Sequence, residues 1–114
     1  MKILICTLLL LLISGCGSSS YSGFVPEDFE VPLGFETPEF RVRPITEADA
    51  EKDYEAVMES REIIHSALLS DSWPTESFTL EENRRDLAMK EVRFDLRTGF
   101  TYTVVSLDEA QVLG

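Results

Sequence analysis

Two four-residue signatures fix where helices can begin in this chain. In Thr46-x-x-Asp49, and again in Thr79-x-x-Glu82, a threonine is followed three residues later by an acid. In that arrangement the hydroxyl satisfies one orphan amide of a helix start and the carboxylate reaches back to another. The first signature predicts a helix over 47–60, with Ala50, Tyr54, Val57 and Met58 on one apolar stripe and Glu47, Glu51, Lys52, Glu55 and Glu59 on the other side. The second predicts a helix from residue 80 to about residue 97, with Gly99 as the residue past its end. Its apolar residues divide into two narrow stripes, Leu80/Leu87/Phe94 and Met89/Val92/Leu96, so it is expected to touch neighbours on two sides. Between these helices, 61-REIIHSALL-69 reads as a short helical piece and 70-SDSWPTES-77 as a loop held partly extended by Trp73-Pro74.

Strands flank the helices. Phe40 to Arg43 alternates apolar and basic residues, which suits a short strand with one buried face, and 100-FTYTVVS-106 is aromatic and β-branched. Leu107 to Ala110 then makes a hairpin turn, and 111-QVLG-114 begins a returning strand. The expected class is α+β (α/β), strand-helix-helix-helix-strand-strand around an incomplete mixed sheet. Upstream, Pro26, Pro32 and Pro38 exclude a long helix and favour an extended arm that Phe24, Phe29, Phe35 and Phe40 anchor to the domain edge.

The first fifteen residues do not read as part of that domain. Lys2 precedes the uncharged run 3-ILICTLLLLLI-13. A helix of that length reaches roughly 17 Å, short of the ~30 Å hydrocarbon core of a bilayer, so the run reads as a signal-peptide core and not as a membrane span. Ile13-Ser14-Gly15-Cys16 resembles the lipobox of bacterial lipoproteins. That resemblance implies cleavage before Cys16, lipidation of its thiol and a lipid-anchored location in the cell envelope. An ordinary signal-peptidase leader, or a mispredicted start with a cytoplasmic domain, is the alternative. The expected organisation is a leader over 1–15, a lipidated tether and arm over 16–38, beginning with the polar 17-GSSSYSG-23, and a domain over 39–114.

The chain has two cysteines, Cys6 and Cys16, and Cys6 would leave with the leader. No intramolecular disulfide would then be available, so the domain would fold on its core alone. Its 21 acidic residues against 10 basic ones give a net charge of −11, and loss of Lys2 makes the mature chain one unit more negative. Such a field repels phosphate backbones and anionic headgroups. Nucleic acid is not an expected partner, and acyl chains would hold the membrane.

The element order and its wording resemble the first half of the GNAT-type N-acetyltransferase fold. Phe40-Arg41-Val42-Arg43-Pro44-Ile45-Thr46-Glu47-Ala48-Asp49-Ala50 is similar to that family's opening strand and helix start. The run 78-FTLEENRRDL-87 resembles its second helix, and Phe100 to Ser106 followed by Val112-Leu113-Gly114 resembles its second and third strands. The resemblance spans about Phe35 to Gly114, and no one of its motifs is specific alone. It implies transfer of an acetyl group from acetyl-CoA to an amine, either a small molecule or a peptide, with Tyr54 and Trp73 lining the acceptor side.

The family's pyrophosphate loop, Arg or Gln followed by x-x-Gly-x and then Gly or Ala, is not found within these 114 residues. Arg97-Thr98-Gly99-Phe100 has its Arg and Gly too close together and follows a helix. The expectation is therefore a domain fragment without the cofactor-binding half, marginal or self-associating through an open sheet edge. A non-catalytic, lipid-anchored interaction module is the alternative function.

No catalytic residue is assigned. His65 is the only histidine, but no Ser, Cys or Asp partner stands at a fixed spacing, and a surface-helix residue is the simpler reading. The adjacent carboxylates Glu81-Glu82 point about 100° apart on a helix, so they cannot share a proton; they read as a helix start, and Asp108-Glu109 reads as a turn. No residue pattern suggests a metal site.

Overall fold

A computed structural model of the protein describes residues 25–114. The leader over 1–15, Cys16, the tether through 23 and the anchor expected at Phe24 lie outside the described residues. In chain order the elements are β1 (Phe35–Glu36), β2 (Phe40–Pro44), a 3-10 turn (Glu47–Asp49), α1 (Ala50–Glu59), α2 (Arg61–Leu68), α3 (Leu80–Asp95) and β3 (Tyr102–Ser106). The class is α+β. The sheet is open, in the order β1-β2-β3, and every pairing among the described residues is antiparallel, where a mixed sheet was expected.

Both helix-start signatures do what their chemistry predicts. Thr79 Oγ1 accepts from the Glu82 amide at 3.2 Å while Glu82 Oε2 accepts from the Thr79 amide at 2.8 Å. At the other start, Asp49 Oδ2 accepts from the Thr46 amide at 3.0 Å. The first turn there is 3-10, so α1 proper begins at Ala50. From its N-terminus the core follows. Ile45, Ala50 and Leu87 are 5%, 0% and 0% exposed and pack with Leu80, joining α1 to α3. Asn83, also buried, crosses the same seam and donates to the Ala50 carbonyl at 3.0 Å and to Asp53 Oδ2 at 2.9 Å.

Only one of the two α3 stripes contributes a buried residue among the described residues. Leu87 is enclosed, whereas Met89, Val92 and Leu96 are 53–61% exposed. The end of α3 also differs from expectation. Arg97, not Gly99, takes the left-handed position with φ 57°, and the Arg97 and Thr98 amides return to Phe94 and Arg93 carbonyls at 3.0 and 2.9 Å. A non-glycine residue there costs about 1–2 kcal/mol. The Arg97 guanidinium offsets this by donating to the carbonyls of Pro26 and Phe29, both at 2.7 Å. The proline-rich arm is thus strapped to the helix end, and Tyr102 Oη adds a 2.6 Å bond to the Pro32 carbonyl.

The arm enters the sheet at Gly34, whose φ is +115° and whose missing Cβ would be driven into the Val42 carbonyl oxygen. Only glycine fits such a backbone. Gly34→Ala is therefore expected to unpair β1 from β2, read as about a tenfold or greater rise in amide exchange at the β1 pairings while α1 and α3 keep their protection.

On β2 the alternation has an unexpected sense. Arg41 and Arg43 stand opposite Val105 and Thr103, which are both buried, so the basic face is packed as well as the Phe40/Val42 face. This burial is tolerated because carboxylates meet the guanidinium groups.

Candidate functional site

Three neighbourhoods gather the chemistry-bearing side chains. The first is an aromatic corner between α1 and the loop after α2. Tyr54 and Trp73, expected to line one site, both meet Phe78, with ring centroids 5.9 Å away in each case. Tyr54 Oη donates to the Phe78 carbonyl at 3.1 Å, which leaves the oxygen only its acceptor capacity. Trp73 remains 42% exposed. The loop carrying it is fastened through Pro74, which is buried. One carbonyl oxygen of Pro74 accepts from Arg61 Nε at 3.1 Å and from His65 Nε2 at 2.8 Å. His65 is thus engaged in holding the loop, with Nε2 assigned as the protonated nitrogen because a carbonyl can only accept. The structure brings Tyr54 and Trp73 together and places His65 on the fastening beside them, without a nucleophile partner.

The second neighbourhood is an ionic lock. Arg43 makes a two-pronged contact with Asp49 at 2.8 and 2.9 Å and reaches Glu109 Oε2 at 3.0 Å, while Arg41 reaches Glu109 Oε1 at 2.6 Å. The Asp49 side chain is 3% exposed. Hydrogen bonding from Arg43, reinforced by the Thr46 amide and opposed by burial, holds its carboxyl at about 2 against an ordinary 3.8. Glu109 is likewise pushed down, first by Arg43 and then by Arg41. The lock joins the turn after β3 to the start of α1.

Beside the lock lies the third neighbourhood, a cavity of about 360 Å³ between α1 and the segment after that turn. Lys52, Glu55, Ala56, Glu59 and Ser60 form one wall and residues 110–113 the other. Lys52 is already spent: its ammonium donates to the Glu109 carbonyl at 2.7 Å and stands 3.7 Å from Asp49. Glu55 and Glu59 are exposed. Of the row Glu51, Glu55 and Glu59, Glu51 has Arg84 at 3.6 Å, and the other two have no basic partner among the described residues. The groove can therefore take a positive charge.

No protein-family model, curated protein or solved structure matches this chain. Among the described residues no group of three or more His, Cys, Asp or Glu side chains could hold a metal ion, and no helix is long and apolar enough to cross a membrane.

The residues that sequence reasoning missed are Phe78, Glu109 and Asn83. Phe78 was read only as part of a helix introduction and Glu109 only as part of a turn. A signal for Glu109 did exist: two arginines on one strand face, if packed, demand carboxylates from elsewhere. Asn83 carried no such signal, since an asparagine inside a helix pattern is equally well placed in solvent.

Proposed function

We propose that residues 39–114 are the N-terminal part of a GNAT-like acetyltransferase domain, which in a completed protein transfers an acetyl group from acetyl-CoA to an amine. The observation that carries this reading is the element order together with the pairing: β2, three helices, β3, a hairpin turn, then residues 111–114 paired back onto β3. That is the sequence of parts the GNAT resemblance implies. In that reaction a neutral amine would attack the thioester carbonyl carbon, the nitrogen–carbon bond would form as the carbon–sulfur bond breaks, coenzyme A would leave as its thiolate, and the proton shed by the new amide nitrogen would pass to that sulfur or to solvent. The residues of this chain would act on the acceptor side. Tyr54 Oη can accept a hydrogen bond from an amine, and Trp73 and Phe78 give an apolar wall beside it.

A second reading is a non-catalytic interaction module, anchored at a membrane through a lipidated Cys16. It is favoured by the engagement of His65 Nε2 with the Pro74 carbonyl and of the Tyr54 hydroxyl proton with the Phe78 carbonyl, which gives both side chains a structural task and leaves only His65 Nδ1 able to accept a proton. One measurement separates these readings, and a second tests the lipid anchor that either would carry. Translation of the coding sequence beyond Gly114 is expected to show the pyrophosphate-loop pattern within a few dozen codons; its absence removes the acetyltransferase reading. Metabolic labelling with a palmitate analogue is expected to mark the protein and to fail in Cys16→Ala; equal labelling of the variant, or none of the parent, removes the lipid anchor.

A further inference from the structure

α3 turns an apolar seam outward. Arg85, Met89, Val92 and Leu96 follow one another at steps of four, three and four residues, which keeps them on a single line of the helix with the spacing of a helix-pairing seam. Met89, Val92 and Leu96 are more than half exposed and lie across the helix from Asn83 and Leu87, the residues that meet α1. Residues 111–113 sit against the opposite side of α1, beside Lys52, Glu55, Ala56 and Glu59, so α1 stands between them and α3. The seam therefore faces away from the place where any further strand would join the sheet. Charge also singles this helix out. Four of the chain's 10 basic residues, Arg84, Arg85, Lys90 and Arg93, fall within it, in a chain of net charge −11. Arg84 and Arg85 have Glu81 within 3.9 Å and Lys90 has Asp86 at 2.7 Å, whereas Arg93 has no carboxylate within ion-pair distance among the described residues.

We propose that the outer face of α3 pairs with the same face of a second copy of this chain, antiparallel and about a two-fold axis beside Met89 and Val92. In that register Met89 packs on Val92 of the second copy, the aliphatic stem of Arg85 covers Leu96 of the second copy, and Asp86 falls beside Arg93 of the second copy. The two-fold repeats each contact, so both unmatched arginines gain a carboxylate. Asp86 is half exposed and keeps acceptor capacity beyond its bond to Lys90. A parallel pair would set Arg85 against Arg85 and leave Arg93 unmatched, so charge selects the antiparallel arrangement. The helix has 16 residues and offers about 24 Å of seam, which places the contact in the small, reversible class, with a dissociation constant on the order of tens of micromolar. The proposal does not depend on acetyl transfer and survives failure of that reading.

The test is sedimentation velocity of the full chain over a range of concentrations, in a mild detergent that keeps the apolar run 3–13 from joining copies by itself. The parent is expected to pass from monomer to dimer, and Val92→Lys to weaken the dimer by about tenfold or more while its far-ultraviolet circular dichroism is unchanged. Asp86→Arg and Arg93→Asp each create two like-charge pairs, and each alone is expected to weaken association about fivefold or more. Mixing those two variants restores both opposite-charge pairs, so the mixture is expected to dimerise where neither variant does alone. A parent that stays monomeric up to ~1 mM overturns the proposal and assigns the seam to another occupant. A dimer that Val92→Lys leaves intact, or a mixture that associates no better than its components, overturns it as well.

Discussion

Truncating Leu87 to alanine is expected to lower the free energy of unfolding by about 3.5 kcal/mol, the middle of the range for deleting an enclosed leucine side chain. Chemical denaturation followed by circular dichroism measures it. The figure follows from position. Leu87 is fully enclosed in a core whose other buried members are Ile45 and Ala50, with Leu80 packed against it. A cluster this small has few side chains that can move into the space left behind, so most of the cavity persists. Small domains are stable by only about 5 kcal/mol or somewhat more, so the variant loses a large fraction of its margin and its melting curve moves well down. A loss under about 1 kcal/mol would mean that α3 does not pack on α1 as described.

Asp49→Asn is expected to cost about 2 kcal/mol at neutral pH, because the amide can neither receive both Arg43 prongs nor balance a guanidinium packed behind it. The pH dependence identifies the cause. The Asp49 carboxyl is depressed to about 2 from 3.8, so its contribution is complete above the unfolded value and drains away as pH falls from 3.8 toward 2. Stability of the parent should therefore decline through that window. The variant should decline less steeply, though not by nothing, since Glu109, Glu82 and Asp108 are also shifted down. Equal slopes in the two proteins would show that the lock is not formed in solution.

How far the sequence reaches can be judged residue by residue. Helix starts were legible because Thr46 and Thr79 solve a local problem with neighbours three residues away. Stripe membership was partly legible. Leu80 and Leu87 pack as periodicity predicts, but nothing in the spacing of Met89, Val92 and Leu96 says that they stay more than half exposed. The end of α3 was misread because Gly99 is the cheaper left-handed residue locally, while the advantage of Arg97 comes from carbonyls some seventy positions upstream. The ionic lock escaped for the same reason, since Arg41 and Arg43 meet Glu109 across a similar separation. At the candidate site the pairing of Tyr54 with Trp73 came only from the GNAT resemblance, and neither spacing nor periodicity implied it. Their meeting through Phe78 depends on where a loop folds back, and no periodicity encodes that.

The double clamp on the Pro74 carbonyl has an optical consequence. Trp73 is the chain's only tryptophan, and it is held in place by Arg61 and His65 of α2, not by the Leu87 core. Its emission therefore reports whether that one loop stays seated, while the far-ultraviolet signal reports the helices. Any gap between the two on titration with denaturant would show that the corner lets go at a different denaturant concentration from the rest.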